Sequence, residues 1–284
     1  MIRPIAVLAL LLLALPAPAD ARCAGEDLMA RLAVGDPAAH RAILERARAV
    51  PNAQGRLWRI SRSDVSPSYL FGTVHSIEAA ERGLPAKAET ALEGARKVLV
   101  EITPDEQDRL MRRLAGDPSF SLNADGPTLT ERLEPEEKAL AARVLEEKGM
   151  PLAAAEQLKP WIVIGALALP DCERAAVRRG AAVLDRLIAD RAAEAGIPVD
   201  GLETYEESFA AFDALSEREI TLLLLDGLAA VEHEEDLRRT LETLYEAGEI
   251  AAIMEFNIHF SESLGGSDSR RTAAAVDRAL LVQR

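Results

Sequence analysis

Only four short stretches of this chain have the composition of β-strands, and long segments with helical periodicity separate them. Leu57-Trp58-Arg59-Ile60 and Tyr69-Leu70-Phe71-Gly72 flank a polar turn at 61–68 that contains Pro67, a hairpin pattern. Lys97-Val98-Leu99-Val100-Glu101-Ile102 reads as a third strand, and Ile197-Pro198-Val199-Asp200-Gly201-Leu202-Glu203 as a fourth. An Ala-rich helix at 85–96 joins the second to the third, which favours a parallel pair of those two with a right-handed crossover. Residues 26–49 read as two helices, with Asp36-Pro37 opening the second. Pro135 starts a helix that Gly149 ends, with Leu140, Ala141, Val144 and Leu145 on its apolar face. Short helices follow at 161–169 and around 183–196, and nearly everything from 206 to 254 is helical, with the acidic run 232–236 on a solvated bend or face. The expected fold is α+β or α/β: a small mixed sheet, a large helical complement and a helical insertion at about 105–180.

The first 21 residues read as a removable leader. Arg3 supplies the positive start, 5–15 the apolar stretch and Ala19-Asp20-Ala21 the cleavage site. That stretch is too short for a permanent span, and no later segment reaches spanning length without charges. The mature chain, 22–284, is expected to be one exported domain, periplasmic or secreted, with no permanent membrane span. Arg22 before Cys23 argues against lipid attachment at that cysteine. The net charge of -14 disfavours nucleic acid, whose phosphates must be met by Lys and Arg. Cys23 and Cys172 are the two cysteines. In an oxidising compartment they suggest one disulfide, two independent thiols being the alternative.

Chemistry points first to His75, delivered just past the end of an apolar strand by Phe71-Gly72-Thr73-Val74. Gly72 would allow a close backbone approach, and Thr73 a local hydrogen bond that fixes the turn. Glu101 shares a strand face with Leu99, opposite Val100 and Ile102. It is either buried and paired, metal-bound or protonated, or it stands at a strand end already in water. Glu203 ends another strand. Convergence of one His and two carboxylates would suit a divalent ion such as Mn²⁺ or Zn²⁺. Glu255 and His259, four apart on a helix, read as an exposed ion pair; His233 reads as surface and His40 as structural. No G-x-S-x-G elbow and no phosphate-cradling Gly loop occurs.

Phe71-Gly72-Thr73-Val74-His75, Val100-Glu101 and Gly201-Leu202-Glu203-Thr204 together resemble the TraB/GumN (TraB/PrgY/GumN) family. Leu57-Trp58-Arg59-Ile60, Lys159-Pro160-Trp161 and the Leu184-Asp185 segment fit the same order and spacing, so the likeness covers roughly 55–284. The family includes the animal Tiki proteins, metal-dependent proteases with G-x-x-H motifs and essential acidic residues. It is distantly similar to erythromycin esterases and ChaN-type haem-binding lipoproteins. The resemblance implies that Gly72-Thr73-Val74-His75 is the first G-x-x-H and Glu101 its acidic companion, with Glu203 in the Gly-Leu-Glu-Thr segment. A second G-x-x-H, expected near the C-terminus, is absent, which suggests a chain missing a few tens of residues at that end.

The expected function is therefore a divalent-metal-dependent hydrolase of the periplasm, acting on a peptide or small molecule. His75, Glu101 and Glu203 would hold a Mn, Co or Zn ion, and Glu203 could instead serve as general base. The alternatives are a non-catalytic binding protein for metal, haem or peptide, and an interaction or signal-sequestering protein that uses the helical insertion as its surface.

Overall fold

The computed structural model describes residues 24–124, 126–265 and 269–282. The leader and Cys23 lie outside the described residues. The fold is α+β and predominantly helical. Its strands form two separate two-stranded sheets rather than the single small mixed sheet read from the sequence.

The chain opens with α1 (Leu28–Gly35) and α2 (Pro37–Arg48), each capped by an aspartate: Asp27 accepts from the Met29 and Ala30 N–H groups, and Asp36 from Ala39 N–H. The segment before α1 docks on the start of a later helix. Ala24 N–H donates to Glu235, Glu26 N–H to Asp236 and Leu28 N–H to Thr240. A side chain at Gly25 would run into the Glu235 backbone, so the close approach needs glycine there. The acidic run is thus a docking strip as well as a polar face: Glu234 also pairs with Lys148, and Glu232 with Arg143.

β1 (Leu57–Arg62) and β2 (Val65–Phe71) form the expected antiparallel hairpin, with Leu57 opposite Phe71 and Asp64 turning at φ 64°. Pro67 sits inside β2, where a free edge tolerates its missing N–H. α3 (Ile77–Arg82) and α4 (Ala86–Glu93) lead to β3 (Val98–Val100), which does not pair with β2. Its parallel partner is β4 (Val199–Gly201), with Val98 opposite Val199 and Val100 opposite Gly201. The backbone bonds extend the pairing past both strand ends: Val98 N–H donates to Pro198 O at 2.9 Å and Leu202 N–H to Val100 O at 2.8 Å.

Between β3 and β4 lie α5 (Pro104–Gly116), α6 (Pro118–Ser121), α7 (Pro135–Glu147), α8 (Leu152–Ala155), α9 (Pro160–Leu167), α10 (Asp171–Arg178) and α11 (Leu184–Glu194). Proline stands at the first helical position of α5, α7 and α9, where its missing N–H costs nothing. Then come α12 (Tyr205–Asp213), α13 (Glu217–Ala230), α14 (Glu234–Ala247), α15 (Ile250–Ser263) and α16 (Ser269–Val282). Thr204 and Ser216 cap α12 and α13 with reciprocal Glu207 and Glu219 boxes.

The apolar residues bury in clusters that follow these helices. Val144, Leu145 and Val163 pack with Leu224 and Leu228, joining the insertion to α13. Ile43 and Phe256 join α2 to α15. Leu184 and Tyr245 pack against Ala79 and Leu84. Val98 and Val100 lie on Ala189 and Ala192 of α11. Cys172 is buried in α10.

Candidate functional site

The site forms where the hairpin hands the chain to α3. Gly72 N–H donates to Arg56 O at 2.9 Å, and the Tyr245 hydroxyl donates to Gly72 O at 2.8 Å. A Cβ at Gly72 would meet only ordinary contacts, the nearest being the Trp58 ring at 3.7 Å, so this fold does not itself demand the glycine. Burial holds the Tyr245 phenol above its ordinary pKa, with the Arg56 guanidinium, 5.0 Å from the ring centre, opposing that shift. Tyr245 therefore stays a hydrogen-bond donor.

Thr73 does not bond locally. Its hydroxyl donates to Asp185 Oδ1, 112 residues away, at 2.7 Å. The chain then tightens, Ser76 N–H reaching Val74 O at 2.8 Å, and Ser76 caps α3 by accepting from Ala79 N–H. The fully buried Ser76 hydroxyl donates in turn to Glu242 of α14 through a short hydrogen bond. Alongside it, Arg238 donates to His75 O at 3.2 Å and to Glu173 Oε2 at 2.7 Å, and Glu173 Oε1 accepts Ile77 N–H. Glu173, Glu242, Arg238 and Ser76 thus form a buried polar backing for the turn. Burial raises the Glu242 pKa; Glu78 adds to the shift, and the Ser76 bond and Arg238 oppose it.

This backing leaves the His75 side chain outside, 65% exposed. Its Nε2 stands 3.7 Å from Glu101 Oε2 and 3.5 Å from Asp185 Oδ2. Glu101 leaves the end of β3 on the exposed face that also carries Leu99; its side chain is 55% exposed, so of the two readings for this residue the strand end in water is the one found. Asp185 lies in the first turn of α11, where the helix dipole favours a carboxylate, and is only 14% exposed. Its Oδ2 is buried with no hydrogen-bond partner.

Glu203 goes elsewhere. Its backbone N–H donates to Glu101 O at 3.1 Å, so the two strand ends lie side by side, yet its carboxylate accepts from the Ser208 hydroxyl at 2.8 Å. Among the described residues, no ion pair or hydrogen bond joins Glu203's side chain to His75 or Glu101. Of the three residues proposed from the sequence, His75 and Glu101 meet, and Asp185 stands where Glu203 was expected. No three His, Cys, Asp or Glu side chains among the described residues form a ready-made metal cage. His75 Nε2 is nonetheless flanked by one oxygen of Glu101 and one of Asp185.

The TraB/PrgY/gumN family profile matches residues 56–284, a span that includes the hairpin, the His75 turn and both parallel strands. The chain belongs to the TraB/PrgY/gumN family. No curated protein and no solved structure matches it. No helix among the described residues of this family member is long and apolar enough to cross a membrane.

Sequence reasoning gave Asp185 no chemical role, although Leu184-Asp185 belonged to the family likeness. It also gave none to Arg238, Glu173 or Glu242, which carried no motif. The other ionisable candidates resolve as structure: Glu255 pairs with Arg46 at 2.6 Å and with Arg270 at 3.2 Å rather than with His259, and His233 packs edge-on against Phe260.

Proposed function

We propose that this chain is a divalent-metal-dependent hydrolase of the periplasm, with peptides as the favoured substrate class. The observation that carries the reading is the approach of His75 to Glu101, 3.7 Å apart on an open surface, in a member of this family. Two features fit a cation. One imidazole nitrogen beside carboxylate oxygens is a donor set suited to Mn²⁺, Co²⁺ or Zn²⁺. A buried carboxylate oxygen facing that imidazole has no hydrogen-bond donor.

His75 and Glu101 would hold the ion, which would supply Lewis acidity toward a substrate carbonyl and toward a water. The rest of the work falls to the chain. Arg238 and Ser76 fix the main chain just after His75, and Thr73 and Gly72 fix it just before, so the turn is set before any ligand arrives. Glu203 borders the same strand end, and its Oε2, not engaged by the Ser208 hydroxyl, could take a proton as general base. Periplasmic placement rests on the leader read in residues 1–21.

The test is calorimetric titration of the purified chain with Mn²⁺, Co²⁺ and Zn²⁺, wild type beside His75→Ala, followed by a peptide-library screen with the ion that binds. Stoichiometric binding lost in His75→Ala, with metal-dependent cleavage, supports the reading. The exposure of His75 and Glu101 favours a second one, a non-catalytic binding protein for metal, haem or peptide. Retained ligand affinity without turnover would select it.

A further inference from the structure

We propose that Asp185, clamped by Thr73, is a cation-binding residue alongside His75 and Glu101, and that it takes the place the sequence suggested for Glu203. The inference rests on the metal-dependent reading above and adds the identity of the third donor.

Asp185 divides its two oxygens between two tasks. Oδ1 accepts the Thr73 hydroxyl at 2.7 Å, which locks the carboxylate to the same turn that carries His75. Oδ2 is left buried, without any hydrogen bond, 3.5 Å from His75 Nε2. A buried carboxylate oxygen lacking a donor is costly unless a positive charge meets it. Among the described residues no lysine or arginine is paired with Asp185.

The separations themselves point to a shared ion. At 3.5 and 3.7 Å, the two carboxylate oxygens stand too far from Nε2 for a direct N–H···O hydrogen bond, which needs about 2.7–3.2 Å. Two donors bound to one ion by bonds of about 2.0–2.1 Å, tetrahedrally arranged, lie about 3.3–3.4 Å apart. A small inward movement of the exposed His75 and Glu101 side chains reaches that spacing. Asp185 need not move, because Thr73 and the first turn of α11 already hold it. Glu203 lacks these properties: its carboxylate has the Ser208 hydroxyl as a donor at 2.8 Å.

The experiment is Co²⁺ titration followed by calorimetry and by the visible d–d absorption of the bound ion. It compares the wild type with Asp185→Asn, Thr73→Val and Glu203→Gln, each checked for folding by thermal unfolding. The expected result is a loss of at least about ten-fold in Co²⁺ affinity and a changed visible spectrum for Asp185→Asn. Thr73→Val should show a smaller loss, of the size typical for partners of ligating residues, and Glu203→Gln should stay within about two-fold of wild type. Co²⁺ binding by Asp185→Asn that matches wild type, or a Glu203→Gln loss as large as its own, overturns the proposal and leaves the metal-dependent reading standing. A wild type that binds no Co²⁺, Mn²⁺ or Zn²⁺ removes both, and the wild-type titration alone shows it. Should Asp185→Asn fail to fold, Zn²⁺ titration of the ¹³C-carboxyl-labelled wild type decides. The Asp185 carboxyl resonance must shift in step with the His75 Nε2 resonance, and a stationary Asp185 signal overturns the proposal.

Discussion

The turn that carries His75 has two sides built on opposite terms. On the helical side, α10 and α14 bring Glu173, Arg238 and Glu242 against it, all largely buried and interlinked. On the strand side, His75 and Glu101 stand in water, and the strands carry exposed apolar residues of their own: Leu99 of β3, Leu202 just past β4, and Ile60 and Leu70 of the hairpin. The difference reflects how the two kinds of element satisfy themselves. A helix closes its own backbone hydrogen bonds and needs a neighbour only for its apolar stripe. A two-stranded sheet leaves free edges and gains little core of its own. Position is thus fixed from behind, and the imidazole and carboxylate are left exposed in front.

The sharpest way to break this comparison is to cut the backing. Arg238→Ala strands the buried Glu173 carboxylate, and loss of one partner from such a pair costs about 3–5 kcal/mol. Urea unfolding should register that loss, whereas a change below about 1 kcal/mol would show that the backing is not what holds the turn. Ser76→Ala removes both the cap of α3 and the donor to Glu242, with an expected cost of about 1–3 kcal/mol; an unchanged urea midpoint would contradict it.

Glu242 gives the comparison a pH signature. Its folded pKa lies above its ordinary 4.5, so the native state binds the proton more tightly than the unfolded chain. The associated stability is fully present below that ordinary value and is lost as pH rises through the raised folded value. Glu242→Gln should therefore flatten this decline, gaining on wild type as pH climbs above the ordinary carboxylate value; parallel stability curves for the two proteins would sink the assignment. The smallest effect belongs to the open side. Leu70→Ser and Glu101→Gln should each alter stability by no more than about 0.5 kcal/mol, as surface changes do, while Glu101→Gln should abolish the proposed Co²⁺ binding. A large stability loss from either would mean that the strand side is more tightly integrated than its exposure indicates.

What was legible in the sequence tracks what is local. Alternation in Val98-Leu99-Val100-Glu101 placed Glu101 on one face with Leu99 and left its exposure open, and Pro135, Pro160 and Asp36-Pro37 marked helix starts within a residue or so. The hairpin followed from its flanking strands, although it runs closer to the turn than the composition suggested. Pairing between distant strands was not legible. The helix between β2 and β3 argued for a parallel pair of those two, yet β3 found β4, because side-chain pattern says which face a strand buries and not which edge it shares. Asp185 was hidden for a related reason: an acid in the first turn of a helix is so ordinary a complement to the dipole that nothing local marks it as facing an imidazole. Glu203 poses the converse case. A strand end looks like a place for chemistry, and only Ser208, one turn into α12, reveals where its carboxylate is held.

The parallel pair has a consequence for how the molecule is assembled in time. Val98 and Val199 are joined by a chain that contains α4's successors α5 through α11, so the three-residue ladder closes a very long loop for very few bonds. Such closure is entropically costly and late, whereas the hairpin closes over a two-residue turn and is early. The hairpin can thus form while Glu101 is still unattached, but the His75 turn itself waits for Arg238 and Glu242 of α14, and the two residues meet only after the intervening helices have condensed. Pulse-labelled hydrogen exchange should show the amides of Trp58 and Leu70 protected before those of Val98 and Leu202. The histidine and glutamate then owe their meeting to long-range contacts, and a chain stalled before those contacts form would carry both residues without uniting them.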